Sequence, residues 1–207
     1  MLADPDQLDR FLDGIFSNAP LPISVKTRLG VSDPEEFIRL LDIFNRYPIC
    51  ELTVHPRIRK DFYGDSIRMP YFAYAMQHSK APLCFNGNLC TLSQIDALAK
   101  KYPDLQAVML GRGLIADPGM LLPQGTTVKA LEEFHNALLE EYIVAFNGSR
   151  NAMFRLKENW RYLMRLFEEN ERLQKRLRKT TDMQEFRAIT EEFFHNVPLR
   201  KQLAADW

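Results

Sequence analysis

Cysteine is scarce in this chain of 207 residues, three in all and none in a C-x-x-C pair. That argues against a disulfide framework or a zinc site and fits a reducing compartment. No apolar run approaches the ~20 residues that a membrane-spanning helix needs. The start, Met1-Leu2-Ala3-Asp4-Pro5-Asp6, lacks the basic segment and apolar stretch of a secretory leader, so a cytoplasmic protein is expected. Neither sign of charge is in excess, with 27 Lys and Arg against 27 Asp and Glu. Any attraction to nucleic acid therefore has to be local. What is present is a 46% hydrophobic composition, enough for one sizeable core and a smaller appended domain.

Short apolar runs closed by breakers organise the first half. Ala81-Pro82-Leu83-Cys84-Phe85 runs into Asn86-Gly87-Asn88, and Ala107-Val108-Met109-Leu110 runs into Gly111-Arg112-Gly113, with a helix-like segment between them. Runs apolar on both faces read as buried parallel strands. In a (β/α)8 barrel the loops after the last strands commonly hold a phosphate, and glycines at 87, 111 and 113 would let backbone approach it, with Arg112 adding charge. The alternative is two ordinary strand-to-helix turns.

Upstream, Asp4-Pro5 opens an amphipathic helix carrying Leu8, Phe11, Leu12 and Ile15. In Pro22 to Gly30, Ile23, Val25, Thr27 and Leu29 alternate with Ser24, Lys26 and Arg28, a strand with two cations on one face. An inward Lys26 needs an anionic or electron-rich ligand, whereas an outward one is solvated. Asp33-Pro34-Glu35-Glu36 starts a helix with apolar Phe37, Leu40, Leu41 and Phe44. Cys50 to His55 is the next strand. It delivers His55 into a loop holding Arg57, Arg59, Lys60, Phe62 and Tyr63, a composition suited to a phosphorylated or nucleic-acid substrate. A hydrogen-bonded structural role for His55 is the competing reading. Helices over 67–78 and 91–101 complete an α-β-α-β-α-β-α-β pattern to about residue 115.

With Val25-Lys26-Thr27-Arg28-Leu29-Gly30, Leu52-Thr53-Val54-His55-Pro56-Arg57, Asn86-Gly87-Asn88 and Gly111-Arg112-Gly113 in this order, the chain resembles the tRNA-dihydrouridine synthases. The resemblance implies an α/β fold: the last four strands of a flavin-binding TIM barrel over residues 1–122, followed by an all-α tRNA-binding domain over 123–207. It further implies FMN as cofactor, NADPH as reductant and tRNA as partner. Lys26 is similar to the family lysine that contacts the flavin, and His55 to the histidine lining the flavin and substrate site. Asn86, Gly87, Asn88, Gly111 and Arg112 are similar to the segments around the FMN phosphate. Pro56 stands where many members have glycine, which alters the loop after His55. The family's acid, a cysteine in an Asn-x-Gly-Cys-Pro loop that protonates uracil C5 while reduced flavin delivers hydride to C6, has no counterpart string here. Cys50, Cys84 and Cys90 read as small hydrophobes.

A full barrel takes about 250 residues, so the expectation is the C-terminal part of a synthase, begun at an internal Met1 and inactive alone. Its open half-barrel would be covered by self-association or by a separate N-terminal half. The helical tail reads as a helix from Thr127, a break at Asn147-Gly148, and a stretch over 150–179 with ten basic and four acidic residues, a local net of +6. Drawn as one helix, that stretch puts Lys157, Arg161, Arg165, Arg172, Lys175, Arg176 and Lys179 on one arc, interrupted by Glu158 and Glu168, opposite Leu156, Trp160, Leu163, Met164 and Phe167; a break near Asn170 would alter its phase. A solvated face is the plain reading of that arc; resemblance to a tRNA enzyme makes Arg57, Arg59, Lys60, Lys157, Arg161 and Arg165 expected RNA contacts. The alternative function is a catalytically silent RNA-binding remnant, and a third is another flavin barrel of the dihydroorotate or ene-reductase type.

Overall fold

The computed structural model describes residues 1–61, 67–201 and 203. It divides into two compact units, Met1–Leu89 with Ile95–Leu110, and Cys90–Gln94 with the described residues from Gly111 onward.

From residue 1 to 110, α1 (Pro5–Phe16), β1 (Ser24–Arg28), α2 (Glu36–Phe44), β2 (Glu51–His55), α3 (Met69–His78), β3 (Leu83–Asn86), α4 (Leu92–Lys101) and β4 (Ala107–Met109) alternate. α1 begins as its sequence dictates, with Asp4 accepting the Gln7 N–H at 3.0 Å and Pro5 in the first turn. α2 starts later than the Asp33-Pro34 pair suggests, because Asp33 turns its carboxylate onto the Glu35 N–H at 2.9 Å and holds residues 33–35 as a turn.

All four strands are parallel and lie in the order β1-β2-β3-β4. The register sets Lys26, Thr53, Cys84 and Ala107 side by side, with Arg28 beside His55 and Asn86 beside Met109 one step further along the strands. Side chains alternate faces along each strand, so Val25, Leu52, Val54, Leu83, Phe85 and Val108 point the other way. There they pack with Phe37, Leu40, Leu41 and Phe72 into one core, and Phe72 meets Phe85 edge to face at 4.9 Å.

The second unit contains α5 (Arg112–Ala116), α6 (Val128–Ala145), α7 (Ser149–Leu163), a 3-10 turn (Met164–Leu166), α8 (Glu171–Lys179) and α9 (Met183–Asn196). Thr127, Asn170 and Asp182 cap α6, α8 and α9 with their side-chain oxygens. The stretch 150–179 is therefore not one helix: the helical run breaks between Leu163 and Glu171, and the basic arc drawn on one helix is split between α7 and α8. Phe167 is extended, its neighbour Glu168 donates its N–H to Pro198 O at 2.8 Å, and Arg200 donates to Leu166 O at 2.7 Å. This long-range pairing displaces the helical bonds that residues 167–170 would otherwise make.

Trp160, Phe167, Phe193 and Phe194 form the centre of this unit, with Trp160 at 5.2 Å from Phe193 and 5.9 Å from Phe167. His135 is buried among them, 5.3 Å from Phe194 and 5.6 Å from Trp160. Its Nδ1 sits 3.1 Å from Asn136 Oδ1, while its Nε2 and the Trp160 Nε1 have no hydrogen-bond partner among the described residues. Burial pushes His135 from the ordinary 6.5 down to about 4. A depressed histidine leaves the unfolded chain as the better proton acceptor, so stability is complete above about pH 6.5 and is lost as pH falls towards 4. Urea unfolding followed by circular dichroism should show a loss of about 2 kcal/mol between pH 7 and pH 5, and His135→Leu should largely abolish that loss.

Candidate functional site

The face of the sheet opposite the core is polar. Thr53 and Cys84 are buried on it and His55 is only 7% exposed, whereas Lys26 remains open to solvent. Burial of its stem, then the Arg28 cation, hold Lys26 below the usual lysine value. The Thr53 hydroxyl donates to Glu51 Oε1 at 3.3 Å, and the Asn86 side-chain amide donates to Met109 O at 2.8 Å. Burial raises the Cys84 thiol above its ordinary value, so it stays protonated at neutral pH. The strands thus bring Lys26, His55 and Asn86 to one face, His55 and Asn86 at the C-terminal ends of β2 and β3 and Lys26 one same-face step before the end of β1.

Two loops are fixed at that end. After β1, the Glu36 carboxylate accepts the N–H groups of Val31, Ser32 and Asp33 at 2.8, 3.0 and 2.9 Å. Partial burial opposes its ionisation, but these three donors outweigh burial and hold Glu36 below the usual carboxylate value. Gly30 is obligatory there: its φ is +151°, and a Cβ would lie 2.6 Å from Glu36 Oε2 and 2.9 Å from the Asp33 carbonyl oxygen.

The loop after β2 is stitched to this one by backbone bonds, Leu29 N–H to Arg57 O at 2.9 Å and Arg59 N–H to Gly30 O at 2.8 Å. Arg28 donates to Ile58 O at 2.9 Å, and Asp61 accepts the Ile58 N–H at 2.8 Å while pairing with Arg68. Burial would raise Asp61, yet the Arg68 bond prevails and keeps it ionised.

Arg57 departs from expectation. It is 1% exposed and donates to Asn88 Oδ1 at 3.1 Å, so its guanidinium ties the β2 loop to the β3 loop and does not face an RNA backbone. Among the described residues of that cationic loop, only Arg59 and Lys60 are exposed. Phe62, Tyr63 and Gly64 lie outside the described residues. Gly87 also has a packing reason, since a Cβ there would meet Ile67 Cδ1 at 2.7 Å. Asn88 takes φ +24°, a value asparagine tolerates.

Gly111 and half-buried Arg112 open α5 in the second unit, and nothing lies within 4 Å of a Cβ built at Gly111. In the same unit Lys157 is tied down: its ammonium donates to Arg178 O at 3.0 Å and Thr180 O at 2.6 Å, closing the C-terminus of α8. Burial lowers its pKa. Arg161 is exposed and Arg165 half-buried. Sequence reasoning passed over the Asp61–Arg68 pair and the Glu36 clasp; for the latter the signal was legible as a capping box, Asp33 followed three residues later by Glu36. Among the described residues no cluster of His, Cys, Asp and Glu is arranged to hold a metal.

Comparison with known proteins adds the following. The family model described as dihydrouridine synthase (Dus) matches residues 1–205. The chain is 25% identical to the tRNA-dihydrouridine(16) synthase of Vibrio vulnificus over 84% of its own length and 55% of that protein's. It is 29% identical to the Ralstonia nicotianae protein of the same name over 59% of this chain and 38% of the relative. A Vibrio cholerae homologue, again so named, is 26% identical over 80% of this chain and 53% of its own. The chain thus spans about half the length of the curated relatives it matches.

The buried Arg57 generates a prediction. Truncating it removes a buried charged donor and its link to half-buried Asn88, so Arg57→Leu should destabilise the first unit by about 3 kcal/mol. Arg59→Leu, at an exposed site, should cost under about 0.5 kcal/mol. Equal urea midpoints for the two variants would refute the structural role given to Arg57.

Proposed function

Because the chain belongs to the dihydrouridine synthase family, we propose that it takes part in forming dihydrouridine on tRNA. In this reading residues 1–122 supply the last four strands of a flavin-binding (β/α)8 barrel and residues 123–207 a helical tRNA-binding domain. The observation that carries the reading is one face of four parallel strands that carries Lys26 and Thr53 in mid-strand and His55 and Asn86 at the strand ends. The ends of parallel strands are where barrels of this kind place their ligands.

The residues fit FMN in chemistry. Lys26 offers a partly desolvated ammonium, which favours an electron-rich ring acquiring negative charge, and His55 and Asn86 offer polar groups on the same face. Gly111, with open space at its Cβ position, and Arg112 suit a phosphate. Gly87 fits less well as a cradle, because Ile67 fills the space its missing side chain leaves. When bound, FMN supplies hydride for uracil C6, with NADPH as its reductant. The protein's own part is to hold the ring against Lys26 and to position the base.

For the isolated chain we propose negligible turnover. Cys84 directs its thiol to the Phe85 carbonyl at 3.9 Å and is buried, and Cys90 is likewise enclosed, so neither presents an acid to a base at the sheet face. The outer edges of β1 and β4 carry no strand among the described residues, and a closed barrel requires four more strands from a second copy or another segment.

A flavin absorbance spectrum of the purified chain titrated with FMN tests the reading. Bound flavin, weakened about tenfold or more by Lys26→Ala and by Arg112→Ala, is the expected result. Binding indifferent to both substitutions would reject the assigned contacts, and no binding would leave the second reading, an RNA-binding remnant.

A further inference from the structure

The helical unit holds an exposed aromatic ring set among cations that the flavin reading does not use. Phe154 lies on the outer face of α7 and is 40% exposed. It borders a cleft of about 190 Å³ between α7 and α8, lined with Lys157, Glu158, Arg161, Met164, Leu177 and Arg178. On α7, Arg150, Lys157, Glu158 and Arg161 are four residues before and three, four and seven after Phe154, so all share its face. The Arg150 guanidinium is 5.9 Å from the ring centroid and the Lys157 ammonium 5.5 Å.

The charge around the ring is one-sided. Glu158 is the one carboxylate lining the cleft, and Arg155 neutralises it at 3.2 Å. Arg161 and Arg178 are exposed and take no carboxylate among the described residues. Lys157 is fixed by the α8 carbonyls, so its charge cannot swing away from the cleft. A part-exposed aromatic ring, an apolar floor of Met164 and Leu177, and three cations at the rim match one chemistry closely. A base can stack on the ring while its phosphates meet the rim. An acidic peptide would satisfy the cations but would leave the exposed part of the ring unused.

We propose that the Phe154 cleft binds a single unpaired nucleotide of an RNA, its base stacked on Phe154 and its phosphates held by Arg161 and Arg178. This rests on the tRNA reading above for the identity of the RNA, and it needs no flavin.

The test is fluorescence anisotropy of the full chain with two probes, a labelled unmodified tRNA transcript and a labelled hexauridylate, titrated over a range of KCl concentrations. Phe154→Ala and Phe154→Leu should each weaken binding of both probes about tenfold, with the salt dependence unchanged, and Phe154→Tyr should stay within about twofold of the parent. Arg161→Ala should instead flatten the logarithmic salt slope on hexauridylate by about 0.7. Because Leu preserves apolar bulk, its loss of affinity cannot come from failed packing at α7. Retained affinity in the Leu variant, an effect of Phe154→Ala confined to the salt slope, or absence of RNA binding by the parent chain would each overturn the proposal. A flavin spectrum run in parallel tells such a failure apart from failure of the flavin assignment.

Discussion

The parallel register of β1 to β4 is the constraint on which the candidate site depends. Side chains alternate with period two, so a slip of one residue in β2 would turn Thr53 and His55 into the helix-covered core and expose Leu52 and Val54. Leu52 and Val54 are fully buried, and their apolar area makes that slip costly, by about 1.5 to 3 kcal/mol for each side chain lost to water. The core face therefore fixes the polar face. Lys26, Thr53 and Cys84 stand in a row because Val25, Leu52 and Leu83 are held on the other side.

A central parallel strand is ordinarily apolar on both faces, and β2 departs from this with Glu51, Thr53 and His55. The departure is partly offset within the strand, since Thr53 donates to Glu51. Cations nearby are also largely committed to protein partners. Arg28 holds carbonyls of the β2 loop and Arg57 holds Asn88. Lys26 is different: it projects from the same face and remains exposed. Partial desolvation beside Arg28 makes its ammonium responsive to an anion in a way a fully solvated lysine is not.

The elements that sequence makes legible are those whose causes are local. Asp4-Pro5, Thr127 and Asp182 announce helix starts through capping chemistry, and the apolar runs before Asn86 and Gly111 announce buried strands. Lys26 and His55 fall on one face by simple alternation once the strands pair. Three features escape local reading. The break after Leu166 depends on residues 198–200, more than thirty positions later. Arg57 looks like a ligand-binding loop cation, yet Asn88, far along the chain, draws it inward. Gly87 suggests a phosphate cradle by its type alone, and only the position of Ile67 reveals why a side chain is excluded.

That break has a consequence for charge. In one continuous helix the cations of 150–179 would spread along a single rod; with α7 and α8 separated, Lys157 of the first can cap the second. The cap places positive charge at the carbonyl end of α8, where Arg178 and Lys179 already oppose the helix dipole favourably. Leu173 and Leu177 anchor the helix on its buried side, and Arg176 is paired with Glu192. Arg172, Lys175, Arg178 and Lys179 are left exposed, with no carboxylate among the described residues. A cation array on a helix held at both ends loses less conformational entropy on meeting a phosphate backbone than the same residues would on a fraying segment. The neutral overall composition thus hides a charge separation that the tertiary bridge at Phe167 creates.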